Sequence, residues 1–363
     1  MEFYGIFFLT LFLAYWNGAN DNYKGVATLY GSNLTNYFNA LWWATITTFF
    51  GSLSSIYLAN ELIQNFSGYK IFPESFLNNS ALFYAILTGS SLTILIATIT
   101  GFPVSTTHSI IGAIYGISIL LFKKIKISFL LNKFLLPLLI SPLIAITVTH
   151  FLNLFFKFLK TKLNPILNNQ CICIEKYQVA TYPNNCNYAI YTVRMDHYIN
   201  CSSKTSLDYF IKIHKDNIIS FLHFLSAGFV SFSRGLNDTP KIAGLILLSS
   251  MLSVKYYLLF IGIAMALGGL WNAKKVAFVI SKHITPLNSQ KGLIANLTTS
   301  LIVFFASIGG FPVSTTHVSI GSLFGIGFYT KQANKKKIKE ILFSWFITMP
   351  LSAILSIFIY KII

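Results

Sequence analysis

Long apolar stretches separated by short polar breaks run from one end of this chain to the other. Stretches of about twenty apolar residues, rising 1.5 Å per residue as helix, match the roughly 30 Å hydrocarbon core of a bilayer. The pattern predicts a first helix over about residues 3–31, interrupted near Asn17 to Asp21, and a second over about 37–60. A pair of helices follows at about 80–100 and 104–122, then one at about 128–157. A polar segment with Tyr and Asn, about 158–215, is the one sizeable part expected outside the membrane. After it come helices at about 216–253, interrupted near Arg234 to Lys241, and at about 256–281. A second pair at about 289–309 and 313–330 and a last helix at about 338–362 complete the chain.

The two halves of this pattern share motifs. Gly101-Phe-Pro-Val-Ser-Thr-Thr-His108 recurs without change as Gly310-Phe-Pro-Val-Ser-Thr-Thr-His317, 209 positions later. Each copy interrupts an apolar stretch: Gly-Phe-Pro stops one helix and Ser-Thr-Thr caps the next, because proline lacks a donor and hydroxyls satisfy the first free N–H groups. Gly18-Ala-Asn-Asp-Asn-Tyr-Lys24 matches Gly235-Leu-Asn-Asp-Thr-Pro-Lys241, 217 positions apart, in its glycine, Asn-Asp and lysine. Each half thus reads as a broken helix bearing Asn-Asp, a plain helix, a hairpin bearing Ser-Thr-Thr and a plain helix. One half makes an odd number of crossings, so the second half is expected to be inverted. The expected fold is an all-α polytopic membrane protein of two inverted repeats with broken helices and Ser-Thr-Thr hairpins. Its expected parts are residues 1–157, a polar loop at 158–215 and a second repeat at 216–363. Matched, Gly/Pro-interrupted apolar segments in inverted repeats are a sign of a secondary transporter with its site near the midplane.

Composition agrees with the pattern. Of 363 residues 54% are hydrophobic and 10% charged, and the mean hydropathy is +0.64. A net charge of +17 would suit nucleic acid, but the basic residues sit in short loops between apolar segments, which is the positive-inside pattern. Loops on the side of the polar segment carry seventeen Lys and Arg, and loops on the other side carry seven. This places residues 158–215 in the cytoplasm and both termini outside, with a bacterial inner (plasma) membrane as the expected location. The first apolar run has no basic n-region or A-x-A-like cleavage site and reads as a helix, not a signal peptide.

Ten acidic residues are present, and only Asp21 and Asp238 fall inside apolar segments, at matching places in the repeat. A carboxylate at membrane depth costs at least about 2.5 kcal/mol and is a functional candidate. With Asn20 and Asn237 beside them, these residues suit a coupling cation, Na⁺ or H⁺, since small cations take hard oxygen ligands. The alternative is an ion pair with Lys24 or Lys241 that holds the broken helices. Lys24, Arg234 and Lys241 are the membrane-depth cations, placed either to neutralise the aspartates or to hold an anion. Ser105, Thr106, Thr107, Ser314, Thr315 and Thr316 flank two helix N-termini and form a candidate oxyanion site; back-bonding to the helix is their mundane role. His108 and His317 follow one turn on. Cys171, Cys173, Cys186 and Cys201 lie in the polar loop and are expected to be reduced free thiols, their spacing not matching paired Cys-x-x-Cys zinc ligands.

Asn17-Gly-Ala-Asn-Asp21, Gly235-Leu-Asn-Asp238 and the doubled Gly-Phe-Pro-Val-Ser-Thr-Thr-His resemble the inorganic phosphate transporter family (PiT, or PHO4-like) across essentially the whole chain outside residues 158–215. The resemblance implies cation-driven uptake of orthophosphate, Asp21 and Asp238 near the coupled cations, and the hydroxyls of both Ser-Thr-Thr runs around phosphate. One departure stands out. Where many relatives continue Asn-Asp with Val-Ala-Asn-Ala, this chain has Asn22-Tyr-Lys-Gly and Thr239-Pro-Lys. The expected function is therefore symport of inorganic phosphate by alternating access. A sulfate or other oxyanion permease of the same fold is the first alternative, and an anion channel the second. No cofactor beyond the transported ions, no metal beyond the coupling cation, no nucleic acid and no enzymatic reaction are expected. The partners are phosphate and the lipid bilayer, with a homo-oligomer left open.

Overall fold

The computed structural model describes residues 2–67, 72, 79–122, 134–167, 170–181, 186–197, 209–213, 215–246 and 253–363. The chain forms two compact units, Met1–Phe151 with His223–Ile363 and, separately, Leu152–Leu222. In the larger unit the described elements are helical: α1 Glu2–Asp21, a 3-10 turn Asn22–Gly25, α2 Ala27–Gly31, α3 Tyr37–Leu58, α4 Asn60–Phe66, α5 Ser80–Thr100 and α6 Thr106–Phe122. Helix α7 covers Leu136–Leu167 and helix α8 covers Lys215–Ile246. The chain continues through α9 Val254–Asn272, α10 Lys274–Lys282, α11 Ser289–Ile308, α12 Thr315–Tyr329 and α13 Lys335–Ile362.

Six helices among the described residues are long and apolar enough to cross a membrane: α5, Leu136–Leu159 of α7, Ile218–Ile246 of α8, α9, α11 and α13. Helix α1 is not among them, because Asn17, Asn20 and Asp21 dilute its apolar character. The unit is built for lipid: large apolar side chains such as Phe8, Leu139 and Phe346 (80% exposed) face outward, while its interior holds many buried Ser, Thr and Asn side chains. Helix α1 packs between α5 and α9, and α13 packs on the α5–α6 pair. Gly18 and Gly268 allow the closest of these crossings, since a Cβ at either would strike the main chain of the facing helix, at Met265 and Tyr15 respectively.

The smaller unit contains the only strands among the described residues. β1 Gln170–Thr181, β2 Cys186–His197 and β3 Tyr209–Ile213 form an antiparallel sheet in the order β2-β1-β3. The β1–β2 register runs from Gln170 opposite His197 to Thr181 opposite Cys186, and β1–β3 shifts register at Ile174/Glu175. Runs such as Cys-Ile-Cys-Ile favour extended chain through their branched, alternating positions. Cys171 and Cys173 fall on β1 and Cys186 opens β2, whereas Cys201 lies outside the described residues.

The helix ends at the two Ser-Thr-Thr stretches are where the sequence puts them. Gly101 and Gly310 take left-handed backbone, φ 83° and 69°, and Ser105 and Ser314 accept N–H bonds from His108 and His317 at 3.2 Å. Other boundaries correct the sequence reading. The first break follows Asp21, at Asn22–Val26, so Asn17 to Asp21 are helical. The second expected break, near Arg234 to Lys241, is absent: α8 runs unbroken through Pro240. Proline holds a helix-compatible φ and removes one N–H bond, which a buried, polar-lined interior tolerates. The expected 37–60 and 256–281 helices each turn at an alanine, Ala59 and Ala273, and α7 extends past residue 157 to Leu167. Residues 128–133 and 247–252 of two expected helices lie outside the described residues.

A Cβ at Gly101 would find its nearest neighbour at 3.7 Å, so Gly101→Ala tests the left-handed backbone alone. It is expected to lower stability by about 1–2 kcal/mol, read as a lower midpoint of thermal unfolding in detergent. Gly309→Ala, at φ −75°, is expected to lose less.

Candidate functional site

The charged residues at membrane depth come together. Asp21, Lys24, Arg234, Asp238 and Lys241 are each at most 4% exposed, as are Asn17, Asn20, Asn22 and Asn237. Helix α1 and its 3-10 turn bring Asn17, Asn20, Asp21, Asn22 and Lys24, and α8 brings Arg234, Asn237, Asp238 and Lys241. In both copies the lysine follows the aspartate by three residues, so the two side chains share one face of their segment. Lys24 pairs with the Asp21 carboxylate, and Lys241 Nζ lies 3.6 Å from Asp238 Oδ1. Arg234 Nε is 3.6 Å from the other Asp238 oxygen.

Each lysine also reaches across to the hairpins. Lys24 Nζ donates to Asn20 Oδ1 at 3.1 Å, to the Val104 carbonyl at 2.9 Å and to Thr316 Oγ1 at 2.5 Å. Lys241 Nζ donates to the Val313 carbonyl at 2.6 Å and to Thr107 Oγ1 at 2.9 Å. Val104 and Val313 are the same position of the two octapeptides, and so are Thr107 and Thr316. Each lysine therefore binds the hairpin of its own half through main chain and the hairpin of the other half through a hydroxyl. Thr316 closes the junction by donating to the Val104 carbonyl at 2.8 Å.

The asparagines fasten the same hairpins. Asn20 Nδ2 donates to Thr98 Oγ1 and to the Phe102 carbonyl, both at 3.0 Å, and its Oδ1 accepts from Val104 N at 3.1 Å. Asn237 Nδ2 donates to Asp238 Oδ1 at 3.0 Å and to the Val313 carbonyl at 3.2 Å, while its Oδ1 accepts from Ser307. Asn17 Nδ2 donates to Thr106 Oγ1 at 2.8 Å and Asp238 Oδ2 at 3.3 Å, and Arg234 donates to Asn17 Oδ1 at 2.8 Å and Asn22 Oδ1 at 3.1 Å.

Residues at equivalent places in the two halves touch one another. Asn17 and Arg234 are a 217-residue pair joined by a hydrogen bond, and the His108 and His317 rings lie 4.5 Å apart. His317 stacks on Trp345 at 3.8 Å, and Trp345 donates to the Pro103 carbonyl at 3.2 Å. His108 Nδ1 and His317 Nε2 find no protein hydrogen-bond partner.

The structure thus gathers the candidate residues into one cluster but divides their work. Ser105 and Ser314 cap helices, Thr106 accepts from Asn17 of its own half, Thr107 and Thr316 hold polar contacts across the junction, and Thr315 is buried in the first turn of α12. Sequence reasoning left Asn17, Asn22, Thr98, Ser307 and Trp345 out of the site. Thr98 and Ser307 had a signal, since they too are 209 positions apart. The cluster holds two acidic side chains, Asp21 and Asp238, and three basic ones, Lys24, Arg234 and Lys241, with the His108 and His317 rings in the first turns of α6 and α12. These three basic and two acidic side chains are buried beside the N-terminal ends of α6 and α12, ends of the kind that favour negative charge.

Residues 17–356 match the model of the Phosphate transporter family. The chain is 27% identical to a protein of Chlamydia pneumoniae over 96% of this chain and 95% of that one. It is 25% identical to a protein of Thermococcus kodakarensis over 95% and 94%. Both are named "putative phosphate permease". Its fold is similar to that of a solved structure titled "The sodium-dependent phosphate transporter", with a TM-score of 0.75, 20% identity and coverage of 99% and 98%.

Removing one partner of a buried ion pair leaves an uncompensated charge. Asp21→Asn is expected to destabilise the protein by on the order of 3 kcal/mol, and the double variant Asp21→Asn/Lys24→Met to recover part of the loss. Denaturation of the four proteins of this cycle in detergent measures the coupling.

Proposed function

This chain belongs to the phosphate transporter family, and on that premise we propose that it carries inorganic phosphate across the membrane, coupled to a cation, Na⁺ or H⁺, by alternating access. The observation that carries the reading is the meeting of two hydroxyl-bearing helix N-termini at a buried cluster of three basic and two acidic side chains, a formal surplus of one positive charge. An oxyanion there receives N–H and O–H donors from α6 and α12 and compensates the surplus charge. Thr106, Thr107, Thr315 and Thr316 are the proposed substrate hydroxyls, with Ser105 and Ser314 shaping the helix ends. Asn20, Asp21, Asn237 and Asp238 are the proposed coupling residues.

Phosphate fits better than sulfate. A protonated phosphate can donate an O–H to an acceptor of the cluster as well as accept from its donors, whereas sulfate can only accept. The surplus charge also gives a reason for alternating access. Only a site whose charge is balanced crosses the low-dielectric core cheaply, so loading the anion favours the exchange between outward and inward states. Inverted repeats are part of the proposal, supported by the equivalent residues that meet at Asn17–Arg234 and His108–His317. So is the orientation, with external termini and residues 158–215 in the cytoplasm, supported by the excess of Lys and Arg on that side.

Radiolabelled phosphate uptake into proteoliposomes, with Na⁺ and pH gradients imposed separately and sulfate as competitor, tests the function. Saturable uptake above equilibrium is expected, with weak competition by sulfate. Asp21→Asn and Asp238→Asn are expected to abolish coupled uptake while the protein still inserts; wild-type rates in either would sink the coupling assignment. Thr107→Val and Thr316→Val are each expected to lower uptake by about tenfold, the effect of losing roughly 1.4 kcal/mol of polar contact. Uptake that only equilibrates phosphate, without saturation, would move the chain to the channels.

A further inference from the structure

The two lysines do more than neutralise aspartates. Around Lys24 Nζ stand a carboxylate oxygen of Asp21, the Asn20 side-chain oxygen at 3.1 Å, the Val104 carbonyl at 2.9 Å and the Thr316 hydroxyl at 2.5 Å. Around Lys241 Nζ stand the Asp238 carboxylate at 3.6 Å, the Val313 carbonyl at 2.6 Å and the Thr107 hydroxyl at 2.9 Å. A carboxylate, a main-chain carbonyl and a threonine hydroxyl recur at both places. This is the all-oxygen donor set that suits a small hard cation. In each half the ammonium group sits at the centre of that set, delivered by the same three-residue step from the aspartate.

We propose that Lys24 and Lys241 are tethered stand-ins for coupling sodium, and that phosphate transport by this chain needs no Na⁺. The proposal rests on the transporter reading above and narrows its coupling ion. The two pockets are built for a monovalent cation, and the chain supplies that charge covalently. A sodium ion entering either pocket would meet a like charge among the same oxygens, with Arg234 adding a third positive group beside Asp238. The lysines cannot leave with the substrate, so the sodium gradient has no grip at these pockets. Each still performs the structural task of a bound cation: it ties the Asn-Asp segment of one half to the hydroxyl cluster of the other, across 292 residues for Lys24 and Thr316.

Two measurements on the full-length protein test this. In the first, phosphate uptake into proteoliposomes under an imposed pH gradient is compared with Na⁺ present and with Na⁺ replaced by choline. The rates are expected to agree within about twofold, because an ion with no differential affinity shifts no equilibrium. A fall of about tenfold or more on removing Na⁺ would overturn the proposal. In the second, thermal unfolding in detergent is followed with NaCl against choline chloride, and only an ion that binds the native state raises the midpoint. Wild type is expected to show no sodium-specific shift. The variant Lys24→Ala/Lys241→Ala, with its oxygens vacated, is expected to gain one and to require Na⁺ for uptake. A sodium-specific shift in wild type, or none in a folded double variant, counts against the proposal; if the variant does not fold, the wild-type arms decide. Absence of phosphate uptake in every medium would instead overturn the transporter reading, while the sodium shift would still report on the pockets.

Discussion

Charge burial organises this protein. Asp21, Asp238, Lys24, Lys241 and Arg234 lie inside a fold whose outer face is apolar, and none of them is more than 4% exposed. Buried to that extent they are shut off from water, so each must be matched within the protein. The matching draws in α1, the 3-10 turn after it, α8 and both hairpins. Their polar side chains point inward, while the outer faces carry phenylalanine and leucine. The arrangement is the reverse of a soluble protein in its surface, and it places all the chemistry in the middle of the fold.

The hairpins owe their position to the same need. A glycine in the left-handed region ends α5, another at Gly310 follows the end of α11, and a serine caps each following helix. The freed main-chain groups between them, at Phe102, Val104 and Val313, then bond to Asn20, Lys24, Asn237 and Lys241. Non-helical backbone is tolerated at membrane depth only when partners of this kind satisfy it. Structure and site are therefore inseparable here: the residues that hold the chain breaks are those that present donors and charge to the centre. The capping serines show the division of labour, since their hydroxyls serve the helix ends and leave Thr107 and Thr316 to face across the junction.

Much of this was legible in the order of residues. The apolar runs gave the membrane class, because spanning lipid demands about twenty apolar residues in any fold. The octapeptide repeat gave both hairpin turns and their caps, which depend on the backbone preferences of a few neighbours. The three-residue step from Asp21 to Lys24 and from Asp238 to Lys241 made an ion pair available within a single turn. These are short-range facts, and short-range facts survive in a linear string.

What only the tertiary structure decided are the contacts between distant segments. No local pattern states that Lys24 reaches Thr316, that His108 meets His317, or that Asn17 and Trp345 belong to the cluster. The continuity of α8 through Pro240 is of the same kind: the sequence offered a break, and the buried surroundings accepted a helix. The three strands of the smaller unit also lay hidden, since a polar segment with short alternating runs carries a weak signal. Local chemistry fixes where a chain turns and what each turn can bind. Which turns meet is set by how whole helices pack, and that is a property of the assembled core alone.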